Sequence, residues 1–296
     1  MDRTKTFGLA LLLALASLTL AACGSKQKAI VVGSKNFTEQ VVMGEIIAQH
    51  LEHRLGRPVT RRLNLGGTLL TYQAILNGEI SVYPEYTGTI EAEILKETPA
   101  TDPAQVYERS RLELARRSQI ELLPPLGVDN FFVMVVRAQD GAKKNVTTLS
   151  QAAEAKPGWK LGVGYEFQQR IDGMPLLNQY HLPFSAPPRS MDLGLLYKAL
   201  DDGDVTMIAA NATDGPLAAH DWTILKDDKK AFGAYQACIM ARQDMLTAEP
   251  GLRPALAELS GKLNNEIMRK LDSAVDVDHR QPSQVAAEFL SQAGLK

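Results

Sequence analysis

Ala29-Ile30-Val31-Val32-Gly33-Ser34-Lys35-Asn36-Phe37-Thr38-Glu39-Gln40 is the stretch on which the architecture turns. A β-branched run closed by glycine reads as a short buried strand. Thr38 stands where it can cap a helix, and Val42, Ile46, Leu51 and Leu55 then recur at helical spacing. Residues 59–64 read as a second strand. Gly66-Gly67-Thr68 opens a helix through residue 76, Asn77-Gly78-Glu79 turns the chain, and residues 80–83 form a third strand. The order βαβαβ predicts a parallel sheet flanked by helices. Binding groups in such sheets gather at strand carboxyl ends and helix starts, here residues 33–40, 66–68 and 83–89, the last reading Tyr83-Pro84-Glu85-Tyr86-Thr87-Gly88-Thr89.

Further along, residues 102–119 form a charged amphipathic helix. Phe131-Phe132-Val133-Met134-Val135-Val136 is an unbroken apolar run that suits a buried strand passing from one lobe to another. A second set of strands (159–163, 204–209) and helices (from Leu149, from Phe167, and 194–200) follows. Residues 235–242 mirror the Phe132 run as a return crossing, and helices are expected over 253–263, 265–271 and 282–292. Two crossings between two α/β lobes predict a hinged molecule with a cleft: residues 28–131 plus 238–296 in lobe I, and 132–237 in lobe II.

Residues 1–23 read as a leader. Arg3 and Lys5 precede an apolar run that ends in Leu20-Ala21-Ala22-Cys23. The run is short for a spanning helix, which needs roughly 20 residues, and Leu-Ala-Ala-Cys matches a bacterial lipobox. Cys23 is therefore the expected lipidation site and the expected mature N-terminus, on a lipoprotein held at a membrane in the periplasm or on the cell surface. Cys238, the other cysteine, lies in an apolar run and reads as a small buried hydrophobe. With Cys23 lipidated, no intramolecular disulfide can form.

The 34 acidic residues against 32 Lys and Arg leave no basic surplus for nucleic acid. His50 and His53 lack a third ligand or a His-Glu-x-x-His pattern and are expected to face solvent rather than a metal. No Gly-x-Ser-x-Gly elbow, phosphate loop or Gly-x-Gly-x-x-Gly after a strand is present, and no cofactor is implied. Trp159 and Trp222 read as packing residues.

Three segments now carry a resemblance: residues 33–39, residues 83–89 and Thr213-Asp214-Gly215. Together they resemble the substrate-binding proteins of osmoprotectant ABC importers, a family that takes up glycine betaine, choline, carnitine and proline betaine. The resemblance runs from about residue 28 to 295. It implies the type II periplasmic binding protein fold, an α/β protein of two lobes joined by two crossing strands, and a permease and its ATPase as partners. It implies no enzyme. A quaternary ammonium has no N–H and is held by aromatic faces, while a carboxylate takes Lys, Arg, hydroxyls or helix N-termini.

By motif matching, Lys35 and Thr89 fall on carboxylate-gripping positions of the first lobe and Arg170 on the arginine of the second. Tyr86 and Tyr235 match cage tyrosines, Asn130 lies near the ammonium methyls, and Gln40 is a minor contact. Two cage positions depart: Phe132 and Asn211 stand where tyrosines are usual. The first keeps a π face and loses a hydroxyl; the second trades the π face for an amide. That substitution favours a ligand with a hydrogen-bonding group or a larger head, such as ergothioneine or another amino-acid betaine. Two other readings stay open. One is an enzyme on the same fold, for which Asp129 and Glu166 supply the one titratable pair. The other is a sensor that docks on a receptor.

Overall fold

The computed structural model describes residues 28–97, 100–219 and 221–296. Cys23 and the leader lie outside the described residues. Among the described residues, ten strands form two five-stranded sheets: β1 (Val31–Gly33), β2 (Thr60–Arg62), β3 (Val82–Tyr86), β4 (Ile120–Leu122), β5 (Phe132–Arg137), β6 (Leu161–Gly164), β7 (Arg189–Met191), β8 (Met207–Asn211), β9 (Trp222–Leu225) and β10 (Ala237–Arg242). The orders are β2-β1-β3-β10-β4 and β7-β6-β8-β5-β9. The βαβ units deliver the parallel strands expected of them, β1 beside β2 and β3, and β6 beside β7 and β8. The sheets are nevertheless mixed, not all-parallel. In each, the fourth strand arrives from the far side of the hinge and pairs antiparallel with both neighbours.

That exchange of strands builds the molecule. The apolar run at Phe132 joins the second sheet, and the run ending at Arg242 returns to the first. The crossings themselves are short. Asp129 bridges Gln236, Asn130 N donates to the Tyr235 carbonyl (3.0 Å), and Ala237 N donates to Val128 (2.8 Å). Each sheet buries both faces, which is why its central strands read as continuous apolar runs. Ile30, Val32 and Ile239 pack against helix α1 (Thr38–Leu55), and Tyr83, Cys238 and Met240 fill the other face. Cys238 is buried, and burial pushes its thiol well above the ordinary range. Trp159 is fully buried and donates its indole N–H to Ala152 (2.8 Å); Trp222 is half-buried in β9 against Tyr197.

Two expectations for α1 change. Phe37, not Thr38, is the N-cap, and no side chain caps it; the Thr38 hydroxyl donates to Asp276 (2.5 Å). His53 is exposed as expected, but His50 is fully buried, with Nδ1 3.0 Å from the Leu295 carbonyl and Nε2 2.9 Å from that of Ala255. It faces inward because α1 is covered by the returning C-terminal helices α2 (Asn265–Asp276) and α3 (Pro282–Gln292), which no local pattern announces. The imidazole ties the chain end to α1. His50→Ala removes the imidazole donor from a buried carbonyl at a cost of about 2 kcal/mol, so a thermal melt should show a fall of roughly 2–4 °C; an unchanged midpoint would refute this tie.

Candidate functional site

The mouth between the lobes holds a cavity of about 400 Å³. The first-lobe wall starts at the end of β1. Ser34 and Gln40 shape the turn, with Lys35 N donating to Gln40 Oε1 (3.2 Å) and Asn64 N to the Ser34 hydroxyl (2.9 Å). The turn directs the Lys35 ammonium inward, where only 2% of the residue is exposed. It donates to Glu85 Oε1 (2.5 Å) and sits 4.7 Å from the Tyr86 ring centroid and 5.7 Å from that of Phe37. Phe37 and Tyr86 stack with centroids 6.3 Å apart. The Tyr86 phenol donates to Glu39 (2.5 Å), as does the Asn130 amide (2.8 Å). Burial, reinforced by Glu39, holds the Tyr86 phenol well above its ordinary range, so it stays a donor.

The second-lobe wall is built on a short helix, Tyr165–Gln169, that opens at the carboxyl end of β6. Its C-cap is Arg170, in extended conformation, which turns the guanidinium back into the cleft. Arg170 donates to Asp172 through Nε (2.8 Å) and a terminal nitrogen (2.5 Å), and across the cleft to the Thr89 hydroxyl (3.0 Å). Burial opposes its charge, and the Asp172 hydrogen bonds overcome that penalty and raise its pKa. Tyr235 donates to the same Asp172 (2.6 Å). The Arg170 guanidinium lies 5.3 Å from the Phe132 centroid, and Phe132 meets Phe167 edge-on at 4.8 Å, with Tyr235 at 6.1 Å.

Asn211 pairs across the sheet with Phe132, so the two departures from the tyrosine pattern are neighbours on one wall. Asn211 donates its backbone N–H (3.0 Å) and side-chain amide (3.2 Å) to Asp214, which also takes the Tyr197 phenol (3.0 Å). Burial pushes the Asp214 carboxyl up to about 6, even with these donors favouring its ionised form.

Lys35, Tyr86, Thr89, Asn130, Phe132, Arg170, Asn211 and Tyr235 all line the cavity. Gln40 does not. It is fully buried behind Lys35, where it fixes the turn. The carboxylates Glu39, Glu85 and Asp172, which hold the wall residues, and the rings of Phe37 and Phe167 were not singled out from the sequence. Asp172, two residues beyond Arg170, and Glu85, beside Tyr86, stood within the motifs themselves. The pair Asp129 and Glu166 has other duties. Asp129 accepts from the Tyr235 N–H (2.7 Å), and Glu166 accepts from Thr68 N (2.8 Å) at the start of the helix Thr68–Leu76 in the opposite lobe.

The profile described as "Substrate binding domain of ABC-type glycine betaine transport system" matches residues 28–292. The chain belongs to this family. This substrate-binding domain is 30% identical over 290 residues to the carnitine transport binding protein OpuCC of Listeria monocytogenes, covering 95% of this chain and 94% of that one. It is 30% identical over 288 residues to the ergothioneine transport permease/ergothioneine binding protein EgtU of Helicobacter pylori, covering 96% of this chain and 51% of that longer protein. A solved glycine betaine/carnitine/choline ABC transporter protein superposes with a TM-score of 0.77 at 26% identity, over 90% of this chain and 99% of that one. These relatives are substrate-binding proteins of ABC transporters, not enzymes, and the fold is the type II periplasmic binding protein fold.

Two outcomes follow from the geometry. Glu166 holds the lobes together through a helix N-terminus, so Glu166→Gln should weaken ligand affinity several-fold in titration calorimetry while the melting temperature of the unliganded domain stays nearly constant; equal affinity would show that the contact does not report on closure. Asp214 has a folded-state pKa raised from 3.8 to about 6, so its contribution to stability is full below the unfolded value and is lost as pH rises through the folded one. Melting temperatures of Asp214→Asn and the parent should therefore shift in favour of the variant between those two pH values, and parallel curves would refute the assignment.

Proposed function

We propose that this chain is the extracytoplasmic, Cys23-lipidated solute-binding component of an ABC importer, which takes up a zwitterion with a quaternary ammonium and hands it to a permease and its ATPase. The carrying observation is that both ends of such a ligand find partners in one cavity. Tyr86, Phe132 and Tyr235 supply aromatic faces for the ammonium, each worth about 0.5–2 kcal/mol, and Lys35, Arg170 and Thr89 supply charge and a hydroxyl for the carboxylate. No described helix is long and apolar enough to cross a membrane.

The cavity also supports a ligand larger than glycine betaine. Its rim carries the exposed side chains of Leu69 and Leu70 from the first lobe and Tyr165 and Leu193 from the second. Asn211 lines the same space. A ring-bearing or branched amino-acid betaine, the class to which ergothioneine belongs, would use these groups; glycine betaine would leave them unused.

Titration calorimetry of residues 24–296 against glycine betaine, choline, carnitine, proline betaine and ergothioneine tests the reading. Micromolar or tighter binding of one member is expected, with Tyr86→Ala and Tyr235→Ala each losing about tenfold or more. Silence across the panel would overturn the quaternary-ammonium assignment, and glycine betaine binding more tightly than the larger ligands would overturn the preference for size.

A further inference from the structure

Behind the aromatic wall lies a pair of acids with no assigned role. Glu39 and Asp272 are 3% and 2% exposed. Glu39 Oε1 accepts from Tyr86 and Asn130, whereas Glu39 Oε2 and Asp272 Oδ1 have no hydrogen-bond partner among the described residues. The groups that face the pair come from every neighbouring element. Tyr86 and Asn130 stand on the cleft side, Thr213 and Asp214 come from the second lobe, and Asp276 lies one turn along α2, tied to Thr38. The Thr213 hydroxyl is near enough to favour the ionised form of Glu39 without completing a hydrogen bond.

Two interacting carboxylates out of water cannot both ionise without a compensating cation. The charged neighbours that act on Asp272 are Glu39, Asp276 and Asp214, all carboxylates, and with burial they raise its pKa. Burial raises Glu39 as well, but Thr213, Tyr86 and Asn130 all favour its ionised form. Ionisation therefore falls to Glu39, which has the Tyr86 and Asn130 donors, and protonation to Asp272, whose charged neighbours are carboxylates. The remaining negative charge stays on Glu39, against two side chains that line the ligand cavity. Two buried carboxylates that hold wall residues are offset, Glu85 by Lys35 and Asp172 by Arg170.

We propose that Glu39 is the buried counter-charge for the ligand's ammonium, a specificity-determining residue acting through Tyr86 and Asn130, with Asp272 as its protonated partner. A phenol that donates to a carboxylate presents a more negative ring face, and Glu39 places that charge behind the cage, on the side where a cation binds. The inference rests on the quaternary-ammonium reading above.

The test compares glycine betaine, or carnitine where that binds more tightly, with an isostere in which carbon replaces the ammonium nitrogen (tert-butylacetate for glycine betaine). Glu39→Gln should lose about tenfold in affinity for the cation while its affinity for the neutral-headed isostere stays within about twofold. Equal losses for both ligands would make Glu39 a prop for Tyr86 and overturn the proposal, as would no loss for either. Infrared difference spectra of the unliganded parent against Asp272→Asn supply a readout that needs neither ligand nor the Glu39 variant. A protonated-carboxyl stretch present in the parent at neutral pH and missing from Asp272→Asn is expected, and its absence would overturn the proposal. A parent that binds no betaine removes the counter-charge role together with the functional reading; the infrared band then decides the Asp272 assignment alone.

Discussion

Two cations are buried in the cleft, and each is matched by a carboxylate of its own lobe. Lys35 is held by Glu85, and Arg170 by Asp172. An unmatched charge at either place would cost several kcal/mol, so these pairs fix where the walls of the cavity stand. They also position the rings. The Lys35 ammonium lies over Tyr86 and the Arg170 guanidinium over Phe132. The protein thus supplies its own cation for the Tyr86 and Phe132 faces and its own carboxylate for each of these cations. A ligand improves on that arrangement only by offering both charges at once. Its carboxylate competes with Glu85 and Asp172 while its ammonium takes ring faces that Lys35 and Arg170 otherwise use. A simple anion would leave the faces to the protein, and a simple cation would leave the grip to Glu85 and Asp172. The preference for zwitterions that we propose rests on this internal competition as much as on any single contact.

The chain trace makes the competition reversible. Because β5 and β10 are exchanged between the sheets, the lobes are joined only through short crossings near Asp129 and Gln236. Polar contacts across the cleft include Arg170 to Thr89 and Glu166 to Thr68, and nearer the crossings Arg269 donates to the Ala212 carbonyl (2.8 Å) while the helix Pro216–Ala219 packs on α2. Glu166 and Thr68 stand at the openings of their helices and Arg170 at the C-cap of its helix, where backbone is free to present a side chain. A ligand that binds both walls adds its free energy to these contacts, and the closed population rises by that difference.

Much of this was legible in the sequence. The β-branched runs closed by glycine marked the parallel strands, and the helical spacing after Thr38 marked α1, because both signals are local. Lys35, Tyr86, Arg170 and Tyr235 were legible because they sit at element ends within motifs. The antiparallel strands β4 and β9 were not, since three- and four-residue edge strands carry little periodicity of their own. His50 was misplaced for the same kind of reason. Its face of α1 is buried by helices more than two hundred residues away in sequence.

The sequence by itself determined the order of strands and helices, the apolar crossings, and the residue types available at each strand end, since these depend on spacing and side-chain chemistry within a few residues. Only the tertiary structure decided which carboxylates neutralise which cations. It set Glu39 against Tyr86 and Asp272, moved Gln40 out of the cavity into the turn behind Lys35, and made Phe132 and Asn211 partners on one wall. Those pairings join residues far apart in the chain, and their energies depend on burial and on ångström-scale distance, which spacing along a sequence does not encode.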